Sequence, residues 1–307
     1  MNLTFENQSY PSLSEFIQQE KNKKNFYGKR LEFAHEIDSN IIQALQVKPV
    51  KKAVDKLADI LVSEGLGMQL STGIAITPFN YPRLYNILRH CCKTLGIGMP
   101  HAVVSSNFNS INAYATGSVE NPYLCISDYA HKLMTDDELT FIIGHECGHL
   151  AMEHMIYHII GTNILRIGSL VPIIGPILAN TVTLPINAWS RYSEITADRA
   201  GFLCCGDLRT SMRALLRLEG GFSDISNVDI DAYVQQSLDS LENLKLGSIK
   251  ELLFDHPLTS KRIKALELFS YSELYYRVTE KTPPTDVDLL SDDLLKTQVD
   301  KLLTVLK

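Results

Sequence analysis

The best-marked helix start in this 307-residue chain constrains everything around it. Thr135-Asp136-Asp137-Glu138 reads as a capping box, with its acidic residues at the positive end of the helix dipole. The pattern predicts a helix from about Asp136 to about Ile160. On that helix stands His145-Glu146-Cys147-Gly148-His149. Histidines four residues apart lie about 40° apart around a helix axis, so both imidazoles can reach one metal ion. Glu146 lies beside them and can face a water on that ion. The flanks Phe141-Ile142-Ile143 and Leu150-Ala151-Met152 are apolar enough to bury the motif in a core. Without a metal, the same pattern would be two packed core histidines.

Zinc needs a third protein ligand and an open fourth position. A histidine at 155, as in HExxHxxGxxH, is absent, because 155 is Met. His154 is about 140° around a continuing helix from His149 and is not expected to reach the same ion. It and His158 are expected at the surface or behind the ligands. A later helix, Arg191–Cys205, offers Glu194 with Asp198 one turn on. Glu194 is the candidate third ligand, and Asp198 can accept the spare ring N–H of a ligating histidine. Such a pair can also be an ordinary exposed acidic face. Ala197, Ala200, Gly201 and Phe202 around it favour close helix packing.

Elsewhere the pattern predicts helices at Val50–Leu61, stopped by Gly65, and at Pro82–Leu95, ended by Gly96. Three short strands follow at His101–Ser105, Ile111–Thr116 and Tyr123–Ser127, the last two flanking a Gly117–Pro122 turn. A small antiparallel sheet is expected. Helical patterns continue from Arg191 to about Tyr276. From Glu280 the chain is polar, with Pro283 and Pro284, and then weakly amphipathic from Leu289 to Leu303. The organisation expected is an N-terminal helical region (1–80) packing on a core (81–278), then a polar tail (279–307) that docks as a helix or stays loose.

A composition of 45% hydrophobic and 21% charged residues excludes a disordered or fibrous chain. The net charge of −6 excludes a global basic field for nucleic acid. Lys21, Lys23, Lys24, Lys29 and Arg30 form a local basic stretch that reads as a solvated helix face. The six cysteines include two adjacent pairs and no CxxC, a poor disulfide framework. The first twenty residues hold Glu6, Glu15 and Glu20 and do not read as a secretory signal. A reducing, cytosolic setting is the simplest expectation. Ile167 to Ser190 carries no formal charge, which makes it a transmembrane candidate. Pro172, Pro176 and Pro185 break it into short pieces, so a buried or re-entrant helical hairpin is expected, with membrane association through 167–190 the alternative.

Together these motifs carry a resemblance. HExxH followed about 45 residues later by Glu194xxxAsp198, with an apolar stretch between, resembles the M48 family of zinc metallopeptidases, gluzincins related to HtpX and the CAAX prenyl proteases. Asn112-Ala113-Tyr114-Ala115-Thr116-Gly117 is similar to the family's NAxAxG strand. His256-Pro257 with Arg262-Ile263 is similar to its HPxxxxRI element. The resemblance covers about residues 80–275. It implies an α+β, predominantly helical zincin-type fold with a small antiparallel sheet beside the HExxH helix. It implies one zinc ion held by His145, His149 and Glu194, with Glu146 as general base of an endopeptidase acting on peptides or unfolded proteins. Asp198 and Arg262 would stand behind the ligands. Asn112, Ala113, Tyr114 and Ala115 would bind an extended substrate by strand addition. His256 would approach the metal, either stabilising the oxyanion or closing the site; Arg262 is a lesser oxyanion donor, or salt-bridges an acid such as Asp255. If His256 caps the zinc, the chain is a binding or chaperone-like protein with little activity. If 167–190 enters a membrane, it is a membrane-integrated protease.

Overall fold

The computed structural model describes residues 32–36, 38, 72–117, 122–155, 183–243 and 257–304, without the side chains of 183–188 and 242–243. The Val50–Leu61 helix, His158, residues 167–182 and His256 lie outside the described residues.

In chain order the elements are β1 (Ile74–Ala75), α1 (Pro82–Leu95), β2 (His101–Ser105), β3 (Ala113–Gly117), β4 (Pro122–Ser127), α2 (Asp128–Leu133) and α3 (Asp136–Ala151). They continue as α4 (Thr183–Cys205), α5 (Leu208–Gly220), α6 (Ile230–Asn243), α7 (Thr259–Ser270), α8 (Glu273–Thr279) and α9 (Asp292–Leu303). The class is α+β and mostly helical.

Helix α3 is the axis of the core. Its capping box forms on both sides: the Glu138 N–H donates to Thr135 Oγ1 and the Thr135 N–H to Glu138 Oε2. The helix is buried on nearly every side, against α1, α4, α5 and β3. Helix α4 comes very close to it because small residues line the contact. A Cβ on Gly148 would stand 2.6 Å from the Ala200 Cβ, and one on Gly201 would stand 2.7 Å from the Phe141 carbonyl oxygen. That proximity is what brings Glu194 and Asp198 up to the histidines.

Helix α3 ends at Ala151, not near Ile160. Met152 caps it, and Glu153 takes a left-handed φ of 57°. No glycine or proline marks this stop. A left-handed non-glycine residue costs of order 1–3 kcal/mol and persists only where surrounding contacts over-determine it. Here buried His154 supplies them, bonded on both of its ring nitrogens.

The sheet has the order β1-β2-β4-β3. β3 and β4 form the expected antiparallel hairpin, from Ala113 opposite Ile126 to Gly117 opposite Pro122. β2 and β4 run parallel, so the sheet is mixed rather than wholly antiparallel. The reason is that β4 returns into the centre, next to β2, and leaves β3 at the edge. Tyr123, Leu124, Cys125 and Ile126 are fully buried, as a central strand covered on both faces requires.

Residues 32–36 and 38 form a strap on α4. Arg199 Nη1 donates to the Phe33 carbonyl, and the His35 N–H donates to Thr196 Oγ1. Helix α9 packs on α7 through buried Leu295, Val299 and Leu303. All six cysteines are unpaired and five are buried. Among the described residues no helix is long and apolar enough to cross a membrane.

Candidate metal centre and active site

The Nε2 atoms of His145 and His149 lie 3.1 Å apart. Each is 3.5 Å from one oxygen of Glu194. All three side chains are buried. A tetrahedral zinc with ligand bonds of roughly 2.0–2.1 Å sets its ligand atoms about 3.3 Å apart. The donor set, two imidazoles and one carboxylate, therefore fits zinc in both spacing and chemistry.

The second nitrogen of each histidine is engaged differently. His145 Nδ1 lies 3.0 Å from Asp198 Oδ1. Asp198 in turn accepts from Arg262 at both oxygens, at 2.9 and 2.7 Å. Arg262 Nη2 is also 3.0 Å from Glu194 Oε2, and Nη1 donates to Glu219 Oε1 at 2.7 Å. Burial pushes the Asp198 carboxyl up, but the Arg262 guanidinium and His145 outweigh it and hold Asp198 below the usual range. The acids around fully buried Arg262 are thus Asp198, Glu194 and Glu219, while Asp255 lies outside the described residues. Arg262 sits behind the carboxylates and not on the cleft wall.

His149 Nδ1 is bonded to His154 Nδ1 at 2.8 Å, and His154 Nε2 to Asp38 Oδ2 at 3.0 Å. Trp189 Nε1 donates to the other Asp38 oxygen at 2.7 Å. His154 is thus wholly buried behind His149 because the helix breaks before it, where a continuing helix would have carried it away.

Glu146 opens onto the same cleft. Burial drives its carboxyl up, assisted by Glu194 and opposed by His145, the Ala115 N–H and Arg262; the balance puts it at about 7. A cation between His145, His149 and Glu194 would lower it again. The cleft holds about 570 Å³. Asn112, Ala113, Tyr114 and Ala115 form one wall, Leu218–Gly221 the other, and the two histidines with Glu146 and Glu194 lie between.

The structure thus gathers His145, His149, Glu194, Glu146, Asp198, Arg262 and the Asn112–Ala115 strand into one region. His256 lies outside the described residues. Sequence reasoning missed Asp38, the Trp189 bond and Glu219. Glu219 ends a visibly amphipathic helix, but nothing in the sequence links Asp38 to a histidine 116 positions away.

The model of Peptidase family M48 matches residues 78–269. The chain is 27% identical over 236 residues to a plastoglobule-localized metallopeptidase 48, chloroplastic, of Arabidopsis thaliana, covering 73% of this chain and 67% of that protein. It is 26% identical over 219 residues to a protease HtpX homolog of Gemmatimonas aurantiaca, covering 62% and 77%. A protease HtpX homolog of Paenarthrobacter aurescens is 24% identical over 230 residues, covering 67% and 78%. No solved structure matches significantly.

Proposed function

Because the chain belongs to peptidase family M48, a family of metal-dependent peptidases, we propose that it is a zinc-dependent endopeptidase acting on extended peptide or unfolded protein. One observation carries the reading: three ligand atoms converge in a cleft that also holds Glu146 and runs along an edge strand.

His145, His149 and Glu194 would hold the zinc ion, which would supply Lewis acidity to water and to the scissile carbonyl. Glu146 is the general base: it takes a proton from the attacking water and returns it to the leaving amine. Ala115 does two jobs. Its N–H bonds Glu146 and fixes the carboxylate, and its strand positions substrate. Among the described residues β3 pairs only with β4, so its other edge can take an extended peptide as a further strand. Leu218–Gly221 closes the opposite side and bounds the substrate side chains. Arg262 and Asp198 hold Glu194 and His145 in place from behind.

Glu146→Gln tests the reading. The amide is nearly isosteric and is not a ligand, so zinc content and fold are retained. Peptidase activity on an unfolded protein falls by about 100-fold to 10,000-fold, the usual general-base contribution. Turnover near wild type in this variant would sink the mechanism, and no chelator-sensitive cleavage by the wild type would sink the activity itself.

A further inference from the structure

The family match begins at residue 78, yet the side chain at the far end of the His149 hydrogen-bond chain comes from position 38. We propose that Asp38 is a positioning residue that sets the tautomer of His149, through His154, so that His149 turns a lone pair and not a proton toward the metal position. This inference rests on the proposed zinc site and adds to it a residue of the N-terminal strap.

The direction of each bond follows from what each group can do. The Trp189 ring N–H can only donate, so Asp38 Oδ1 accepts. An Asp38 carboxylate has only acceptors, so Oδ2 takes the proton of His154 Nε2. A neutral His154 protonated at Nε2 has its lone pair on Nδ1. His149 Nδ1, at 2.8 Å, must then be the donor of that bond. With its proton on Nδ1, His149 has its lone pair on Nε2, the atom facing His145 Nε2 and Glu194. Reversing any bond in the chain puts a proton on His149 Nε2, where it excludes a cation. Asp38 is fully buried, and the hydrogen bonds it accepts from Trp189, Thr196 and His154 favour its carboxylate form. Nothing in the chain can rearrange easily. Asp38 and His154 are both fully buried, and the His154 ring packs edge-on against Trp189 at 5.5 Å. The strap is itself anchored, through Phe33 on Arg199 and His35 on Thr196.

Asp38→Asn inverts the chain at almost constant volume. Trp189 still needs an acceptor, so the amide oxygen faces it and the NH2 group faces His154 Nε2. His154 must then accept there and carry its proton on Nδ1, and His149 is forced to the Nε2–H form. The experiment uses the full-length, metal-free chain labelled with 15N-histidine. Ring nitrogen shifts are expected to report His149 as Nδ1–H in the wild type and as Nε2–H in Asp38→Asn. His145 stays Nδ1–H in both, because its partner is Asp198. Zinc affinity, measured by competition with a chelator, is expected to fall about 10-fold to 100-fold in the variant. A merely structural Asp38 would lower stability without switching one ring and sparing the other. An unchanged His149 tautomer, or unchanged zinc affinity, overturns the proposal. Should the variant fail to fold, the wild-type spectrum decides alone: an Nε2–H form of His149 is equally fatal. Both readouts are taken without substrate, so a lack of peptidase activity counts against the proposed function and leaves this inference standing.

Discussion

His145 and His149 leave the same helix one turn apart, yet they are held by different means. Behind His145 stands charge: Asp198, locked by two bonds to Arg262, which also reaches Glu194 and Glu219. Behind His149 stands a second imidazole ring, and the carboxylate is one step further off, on Asp38. The first support lies within the family-matched residues and the second reaches outside them. If the proposed metal site is shared in this way between core and strap, its two supports should fail differently.

The largest difference should appear on removing the cation. Arg262 is fully buried and is the positive centre among Asp198, Glu194 and Glu219. Arg262 stands on α7 and is buried there, so Arg262→Met keeps most of the volume and deletes the charge. Breaking a buried ion pair on one side costs about 3–5 kcal/mol, because the partner charges stay buried. Urea denaturation of the metal-free variant measures this, and a loss under about 1 kcal/mol would mean that the His145 support is not electrostatic.

Acid should separate the two supports next. Burial, with Arg199 beside it, pushes the His35 imidazole of the strap down to about 3. The unfolded chain, with an ordinary histidine at about 6.5, therefore binds the proton first as pH falls. This contribution to stability is complete above about 6.5 and declines below it, at about 1.4 kcal/mol per pH unit. Asp198 has the opposite chemistry. Its folded pKa is depressed, so its contribution is complete above the ordinary carboxylate range and is lost only as pH falls through that range and below. From pH 6.5 to 5 the strap should lose about 2 kcal/mol while the Asp198–Arg262 pair holds. Unfolding midpoints at the two pH values, in wild type and His35→Gln, check this; an equal pH slope in the variant removes His35 as the cause.

The same contrast runs through what could be read in advance. The features that declared themselves are local: the Thr135 cap, two histidines at helical spacing, and Glu194 with Asp198 one turn apart among small residues. Each is written within a few positions of the chain, and helix geometry does the rest. The misjudged features depend on contacts between distant segments. The break at Glu153 has no glycine or proline to announce it, because tertiary bonds to His154 impose it. Parallel pairing of β2 with β4 was hidden because hairpin signals describe only neighbouring strands. Asp38 has no periodic or motif context, so only the folded strap shows what it touches.

The smallest effect is a control on the whole comparison. Thr135 caps the far end of the helix that carries both histidines, ten residues before His145. At 1.5 Å of rise per residue that is about 15 Å away. Thr135→Ala removes the hydroxyl that accepts the Glu138 N–H, but the backbone N–H of position 135 still bonds Glu138, which Arg217 also holds. The loss should be about 1 kcal/mol, the usual value for a helix cap. Zinc affinity should stay within about twofold of wild type, because the metal site forms in the folded state and no ligand loses its support. That pairing of results, lower stability with unchanged affinity, is what distinguishes orientation from general loosening. If Thr135→Ala weakens zinc as much as Asp38→Asn does, any destabilised α3 loses its metal, and the two histidines no longer differ in how they are held.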